Sequence, residues 1–149
     1  MIINDLSIRL GKEDKSSVYR ILKSVLHTVR ECITTEESLT LMTKLPLFAK
    51  LIYAEDSKLR KMKDLPQPKT IHEFVEEIKE NHDRAFLGYD FANSEAIERN
   101  CRMVLGYLLE STKEEIKEQI LPDRIEKLFE SGERRFINKY VPKFDYSLN

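Results

Sequence analysis

Residues 18–31, VYRILKSVLHTVRE, carry the pattern that decides the fold. The apolar side chains of this stretch are Val18, Ile21, Leu22, Val25, Leu26 and Val29. Positions i, i+3, i+4, i+7, i+8 and i+11 lie on one side of an α-helix, so the stretch predicts a helix with one buried face. Asp14 is placed to cap this helix, which we expect to run to about Glu31.

The second half of the chain repeats this stripe. Its apolar residues are Ile97, Cys101, Val104, Leu105 and Leu108. Val104 follows Val25 by 79 residues, while Asn100 stands in the place of Ile21. Each stripe is followed by a short break, a Thr-x-x-Glu sequence and a Leu-Pro pair, at residues 45–46 and 121–122. The sequence therefore predicts a duplicated helical module.

Local start and stop signals place the remaining helices. Gly11 is expected to end a short N-terminal helix, and Asn93 or Ser94 to cap the long helix of the second half. Pro46 fits the first turn of a helix whose sequence, LFAKLIY, is almost wholly apolar, so we expect deep burial there. Three Thr-x-x-Glu pairs are predicted capping boxes: Thr34–Glu37, Thr70–Glu73 and Thr112–Glu115.

Composition favours a helical protein of one domain. The 149 residues include only 4 glycines and no tryptophan, and the formal net charge of −1 gives no overall attraction to nucleic acid or membrane. The first residues lack a signal-peptide pattern, and no stretch has the roughly 20 apolar residues of a membrane span. Cys32 and Cys101 form neither a disulfide framework nor a zinc pattern, so we expect two reduced, buried thiols and a cytoplasmic protein.

These patterns predict an all-α fold, in which two related helical repeats pack as one multi-helix bundle. Residues 1–149 form a single domain, with a first repeat over 1–53 and a charged linker over 54–69. A second repeat covers 70–131, and a C-terminal extension covers 132–149. One repeat alone is of marginal size for independent stability, so we expect the two to pack on each other.

The runs VLHTVRE, KLP and, in the second half, VLGYLLE, ILP and IEKLF resemble the bacterial family known as domain of unknown function 2267. The resemblance covers about residues 4–131. It implies a small, all-helical, two-repeat bacterial domain without an established activity, and it supplies no catalytic residues. The chain departs from the expected pattern in a longer insert around residues 86–91 and in an added C-terminal extension from Glu133.

The histidines offer weak candidates for chemistry. His27 lies beside the first stripe, where a partly buried, hydrogen-bonded ring is expected. His72 and Glu76, four residues apart, could present a metal-ligand pair on one helical turn, with His82 nearby. A solvated helix face explains the pair more simply, because no HExxH motif or cysteine cluster accompanies it. We therefore assign no catalytic, cofactor-binding or metal-binding residue.

Two basic segments are the candidate anion-binding sites. In the second segment, basic residues alternate with aromatic ones such as Phe136 and Tyr140, a combination that can bind phosphates and stack on unpaired bases. The spacing of Phe136, Ile137 and Tyr140 also fits one helical face, so the segment could instead dock on the bundle. The candidate residues are Lys58, Arg60, Lys61, Lys63, Arg134 and Arg135.

Three functions follow as expectations. The first is a non-enzymatic module that binds another protein or another copy of itself, through helix faces, the extension or the insert. That insert, with Phe86 and Phe91, either covers the core or forms a contact surface. The second is a nucleic-acid or anion-binding accessory protein. The third is an enzyme with an atypical helical site, which would need histidines and carboxylates to converge in a closed pocket.

Overall fold

The computed structural model describes residues 2–56, 67–86, 90–112 and 121–129. Over these residues the chain forms helices and no strand, packed as an all-α bundle. The α-helices are α1 (Ile2–Leu10), α2 (Lys15–Glu31), α3 (Thr35–Lys44), α4 (Leu47–Ala54), α5 (Ile71–Ala85), α6 (Ser94–Thr112) and α7 (Asp123–Glu126). A short 3-10 helix, Lys127–Phe129, continues from α7. None of the described helices is long and apolar enough to span a membrane.

Local signals fixed several helix ends as predicted. Gly11 follows α1 with a φ of 66°, a backbone conformation that glycine adopts without strain. Asp14 caps α2 by accepting the amides of Ser16 and Ser17. Thr34 and Glu37 form a complete capping box at α3.

The other predicted starts differ in detail. The Thr70 side chain caps α5 by accepting the amide of Glu73. Asn93 accepts the amide of Ala96 at the start of α6. Thr112 is the last residue of α6, and Glu115 lies outside the described residues, as does most of the predicted linker.

Helix α2 occupies the centre of the bundle. It contacts α1, α4, α5 and α6, and the six residues of its apolar stripe are at most 1% exposed. In the second stripe Ile97, Cys101, Val104 and Leu108 are buried, and Leu105 is half-buried. Both predicted stripes thus form the core. That the two halves are copies of one duplicated module remains a prediction from the sequence.

A row of small polar residues on α2 faces α5. The Ser17 hydroxyl donates to Asp90, which follows α5, and the Asn81 amide of α5 donates to the Thr28 hydroxyl at 2.9 Å. Ser24 lies between them on the same side of the helix and is also buried. The prediction of a single apolar face on α2 was therefore incomplete, because small hydroxyl side chains form a second buried side.

Two of the sequence expectations were wrong. The segment LFAKLIY is not deeply buried throughout, since Leu47 is 71% and Leu51 59% exposed. Pro46 is the residue before α4 rather than part of its first turn.

An ion pair joins the two halves of the chain. Arg124 of α7 donates to both carboxylate oxygens of Glu37, at 2.7 and 2.6 Å, and to the carbonyl of Cys32 at 2.9 Å. The Arg124 hydrogen bond, assisted by Thr34, lowers the pKa of Glu37 from 4.5 to about 2 against the opposing effect of partial burial. The same carboxylate thus completes the α3 cap and holds α7.

We expect Val25→Asp and Val104→Asp each to destabilise the fold by more than about 3 kcal/mol, because each buries an unpaired charge. Both side chains are fully buried. Urea unfolding measures the effect, and Ser16→Asp, at an exposed position of α2, is the matched control. Wild-type stability in either core variant would contradict the assigned core.

The Glu37 ion pair predicts a specific pH dependence. Because the folded pKa lies below the ordinary value, the pair stabilises the fold above about pH 4.5, and this contribution is lost as the pH falls towards about 2. The free energy of unfolding should therefore fall less between pH 5 and 3 in Glu37→Gln than in the wild type. Glu36→Gln, an exposed neighbour, should retain the wild-type slope. Equal slopes in all three proteins would rule out the pair as a source of stability.

Candidate functional site

The predicted basic residues lie outside the described residues. Lys58, Arg60, Lys61 and Lys63 fall within 57–66, and Arg134 and Arg135 within 130–149. Anion binding by these segments therefore stays a prediction. Among the described residues, no group of three or more His, Cys, Asp or Glu side chains is placed to hold a metal ion.

The three histidines have different surroundings. His72 is exposed in the first turn of α5. The ring of His27 is half-buried, as expected, and its Nε2 donates to the carbonyl of Ile52 at 2.9 Å. Burial lowers the pKa of His27, assisted by the nearby charge of Arg30. Burial thus favours the neutral form of this ring, which lies against α4.

Arg30 secures the C-terminal end of α4. Its Nη1 atom donates to the carbonyls of Tyr53 and Glu55, both at 2.6 Å. Carbonyls at a helix end have no partner within the helix, and a cation there also interacts favourably with the helix dipole. With His27, this contact fixes one face of α4 on α2 and determines which face is left to solvent.

His82 is the most enclosed histidine and forms the centre of a polar cluster. The ring is 2% exposed, and its Nε2 lies 2.6 Å from Oδ2 of Asp90, whose side chain is 3% exposed. Arg20 of α2 donates to both oxygens of Asp90, each at 2.8 Å. Ser17 donates to Oδ1 at 2.6 Å. The sequence suggested no role for Asp90, because its partners lie 8 to 73 residues away.

The Asp90 cluster is built for cohesion. Burial alone would raise the pKa of Asp90, but the hydrogen bonds from Arg20, Ser17 and His82 outweigh it and hold this pKa well below its usual range. Phe91 packs edge-on against His82, with 4.9 Å between the ring centroids. The described part of the insert therefore covers the core. A carboxylate with both oxygens occupied and almost no exposure is placed to join α2, α5 and residue 90 rather than to receive a substrate.

The most unusual exposed surface is on α4. Leu47, Leu51 and Ala54 lie on its solvent side and are here called the α4 face. The opposite side of the helix is formed by Ala49, Ile52 and Tyr53, which are at most 3% exposed. Apart from Lys50, which lies at the edge of the solvent side, this eight-residue helix is apolar on both sides, as is typical of an element covered on both sides.

Helix α7 provides an internal comparison for the α4 face. Both helices follow a Leu-Pro pair, and the two prolines have nearly the same backbone angles, φ −57° and ψ 152° for Pro46 and φ −56° and ψ 150° for Pro122. The positions matching Leu47 and Leu51 carry Asp123 and Lys127, both exposed. The buried positions stay apolar in both, with Ile125, Leu128 and Phe129 after Pro122. The two segments thus share apolar residues at the buried positions and differ at the exposed ones, and they differ also where Phe48 packs against the core and Arg124 pairs with Glu37.

Asp90→Asn should destabilise the protein by about 2 to 4 kcal/mol, because an amide cannot accept all the hydrogen bonds and leaves Arg20 with only the more distant carboxylate of Asp14, at 3.9 Å. Asp83→Asn is the matched control, since Asp83 lies 3.6 Å from the other ring nitrogen of His82 but is 62% exposed. We expect a change below about 0.5 kcal/mol there. Urea unfolding compares the two, and equal curves would show that the cluster contributes no cohesion.

Comparison with known proteins gives a family but no activity. None of the curated proteins matches the chain. A family model described as "Uncharacterized conserved protein (DUF2267)" matches residues 1–133. This confirms the resemblance found in the two Leu-Pro modules and extends it slightly beyond residues 4–131. Since the match covers most of the 149 residues, the chain belongs to the DUF2267 family.

Proposed function

We propose that this protein is a non-enzymatic protein-interaction module that associates through the α4 face with polypeptide of its own sequence, in the same copy or another. The observation that carries the proposal is the contrast between the two Leu-Pro helices. Leu47 and Leu51 are 71% and 59% exposed, where α7 and the 3-10 helix after it have Asp123 and Lys127. Single exposed apolar residues are ordinary, but a contiguous apolar helix face favours a contact surface.

The energetics support this role. Burying a leucine side chain completely is worth roughly 1.5 to 3 kcal/mol, and the two leucines of the α4 face begin mostly exposed. The opposite face of α4 is held by His27 and Arg30 through carbonyls at its C-terminal end. The helix therefore presents its leucines on a fixed support, which limits the entropy lost on docking.

The cysteines and the family resemblance also support a cellular compartment for the protein. We place it in the bacterial cytoplasm, because the family resemblance is to bacterial proteins and the two cysteines are buried and form no disulfide. Cysteines that stay reduced are typical of an intracellular compartment. Their burial makes them small core residues rather than reactive groups.

The double substitution Leu47→Asp with Leu51→Lys tests the proposal, because it gives α4 the solvent-facing residues of α7. Circular dichroism should be unchanged. Either the mass measured by light scattering should fall, or the melting temperature should drop by more than about 3 °C, since covered leucines have been replaced by charges.

Two controls make the test specific. Ile8→Lys places a charge at another exposed apolar position, on α1, where Ile8 is 62% exposed, and it should leave mass and melting temperature unchanged. The reverse swap, Asp123→Leu with Lys127→Leu, should create a new apolar face on α7 and promote association. The α4 proposal fails if the α4 swap matches Ile8→Lys in both measurements at every protein concentration.

A further inference from the structure

We propose that the segment covering the α4 face is the C-terminal extension of the same molecule, residues 133–149. This inference rests on the proposed function, because it names the polypeptide that the α4 face binds. The extension is then an internal occupant that an outside protein must displace to reach α4. Three observations support it, and the first two favour the same molecule over a second copy.

The first observation is the size of the surface. A stable interface between separate proteins buries about 800 Å² on each partner. The α4 face offers two leucines and one alanine on a helix of eight residues, far less than such an interface needs. A tethered segment requires less contact, because the chain connection holds it at an effective concentration that reaches the millimolar range. The small face therefore fits an occupant from the same molecule.

The second observation is where the described chain ends. Both α4 and α7 lie at the C-terminal end of α2: Arg30 donates to the carbonyl of Tyr53 in α4, and the Cys32 carbonyl, two residues further, accepts from Arg124 in α7. The described chain ends at Phe129, directly after α7. The seven residues from 130 to 136 can span up to about 25 Å. The inference therefore requires the α4 face to lie within about 25 Å of Phe129, and the shared contact of α4 and α7 with the end of α2 favours this.

The third observation is chemical complementarity. Residues 134–143, RRFINKYVPK, contain four basic residues and no acidic one, together with Phe136 and Tyr140. The acidic residues Glu55 and Asp56 follow α4, and although both already pair with Lys23, their side chains remain 39% and 73% exposed. Aromatic side chains can cover the leucines while Arg134 and Arg135 meet these carboxylates. A single docked segment satisfies both the apolar and the acidic parts of this surface.

A thiol-accessibility experiment on the full chain tests the inference. Ala54→Cys places a probe within the α4 face and leaves both leucines intact. The native Cys32 and Cys101 are 1% and 0% exposed, and burial raises the pKa of Cys101 well above its ordinary value. A maleimide therefore reports on the new thiol. Its rate is compared with that of Ile8→Cys, an exposed position on α1.

The extension is then weakened by Phe136→Asp with Tyr140→Asp in the Ala54→Cys protein. We expect labelling at residue 54 to become at least tenfold faster, with no change at residue 8. Ser147→Asp with Asn149→Asp adds the same charge to the extension without removing an aromatic residue, and should leave the protection in place. The slow labelling of the thiol at residue 54 by maleimide should also be independent of protein concentration, because the covering segment belongs to the same molecule.

Two other results would overturn the inference. Protection that grows with protein concentration would identify a second copy as the occupant, which leaves the proposed function intact. Rapid labelling at residue 54 with the natural extension, equal to that at residue 8, would show that the extension does not cover α4. In that case the α4 swap, measured by mass and melting temperature, still decides whether the α4 face takes part in association.

Discussion

The burial of α2 over most of its circumference is the constraint on which the rest of the structure depends. Its apolar stripe is at most 1% exposed, and Ser17, Ser24 and Thr28 add a second buried side of small residues. Small side chains let α5 approach closely, and two of their hydroxyls bond to Asp90 and Asn81. A helix buried on two sides needs neighbours in several directions, which is why α1, α4, α5 and α6 all pack on it.

Charged groups then determine how those neighbours are arranged. Asp90 is held by side chains from α2 and α5, Glu37 of α3 by Arg124 of α7, and Glu110 of α6 by Arg9 of α1 at 2.9 Å. Each pair joins helices far apart in sequence. A buried ion pair adds little net stability over an apolar contact, but breaking one is costly. The Asp90 pair, whose carboxylate side chain is 3% exposed, therefore penalises other arrangements of helices that would bury a similar apolar area.

The sequence predicted those features that depend on neighbouring residues. The α2 stripe, the Asp14 cap and the Thr34–Glu37 capping box each follow from residues within one or two helical turns. Arg102 could not be found this way: a fully buried guanidinium on α6 pairs with Glu98 and lies 5.1 Å from the Phe129 ring. Its environment depends on the chain returning 27 residues later. Asp90 was missed for the same reason, and α4 was misjudged because apolar composition does not tell which side of a helix is covered.

Comparing α4 with α7 shows at which positions the packing of the bundle requires apolar residues. Both helices bury the same side after a Leu-Pro pair, with Ile52 and Tyr53 in one and Leu128 and Phe129 in the other. Asp123 and Lys127 show that this packing is compatible with charged residues on the solvent side. Leucine at the matching positions of α4 is therefore not required by this packing, and it leaves apolar surface in water. The contact proposed on the outer side of α4 would account for Leu47 and Leu51, because it removes this apolar surface from water.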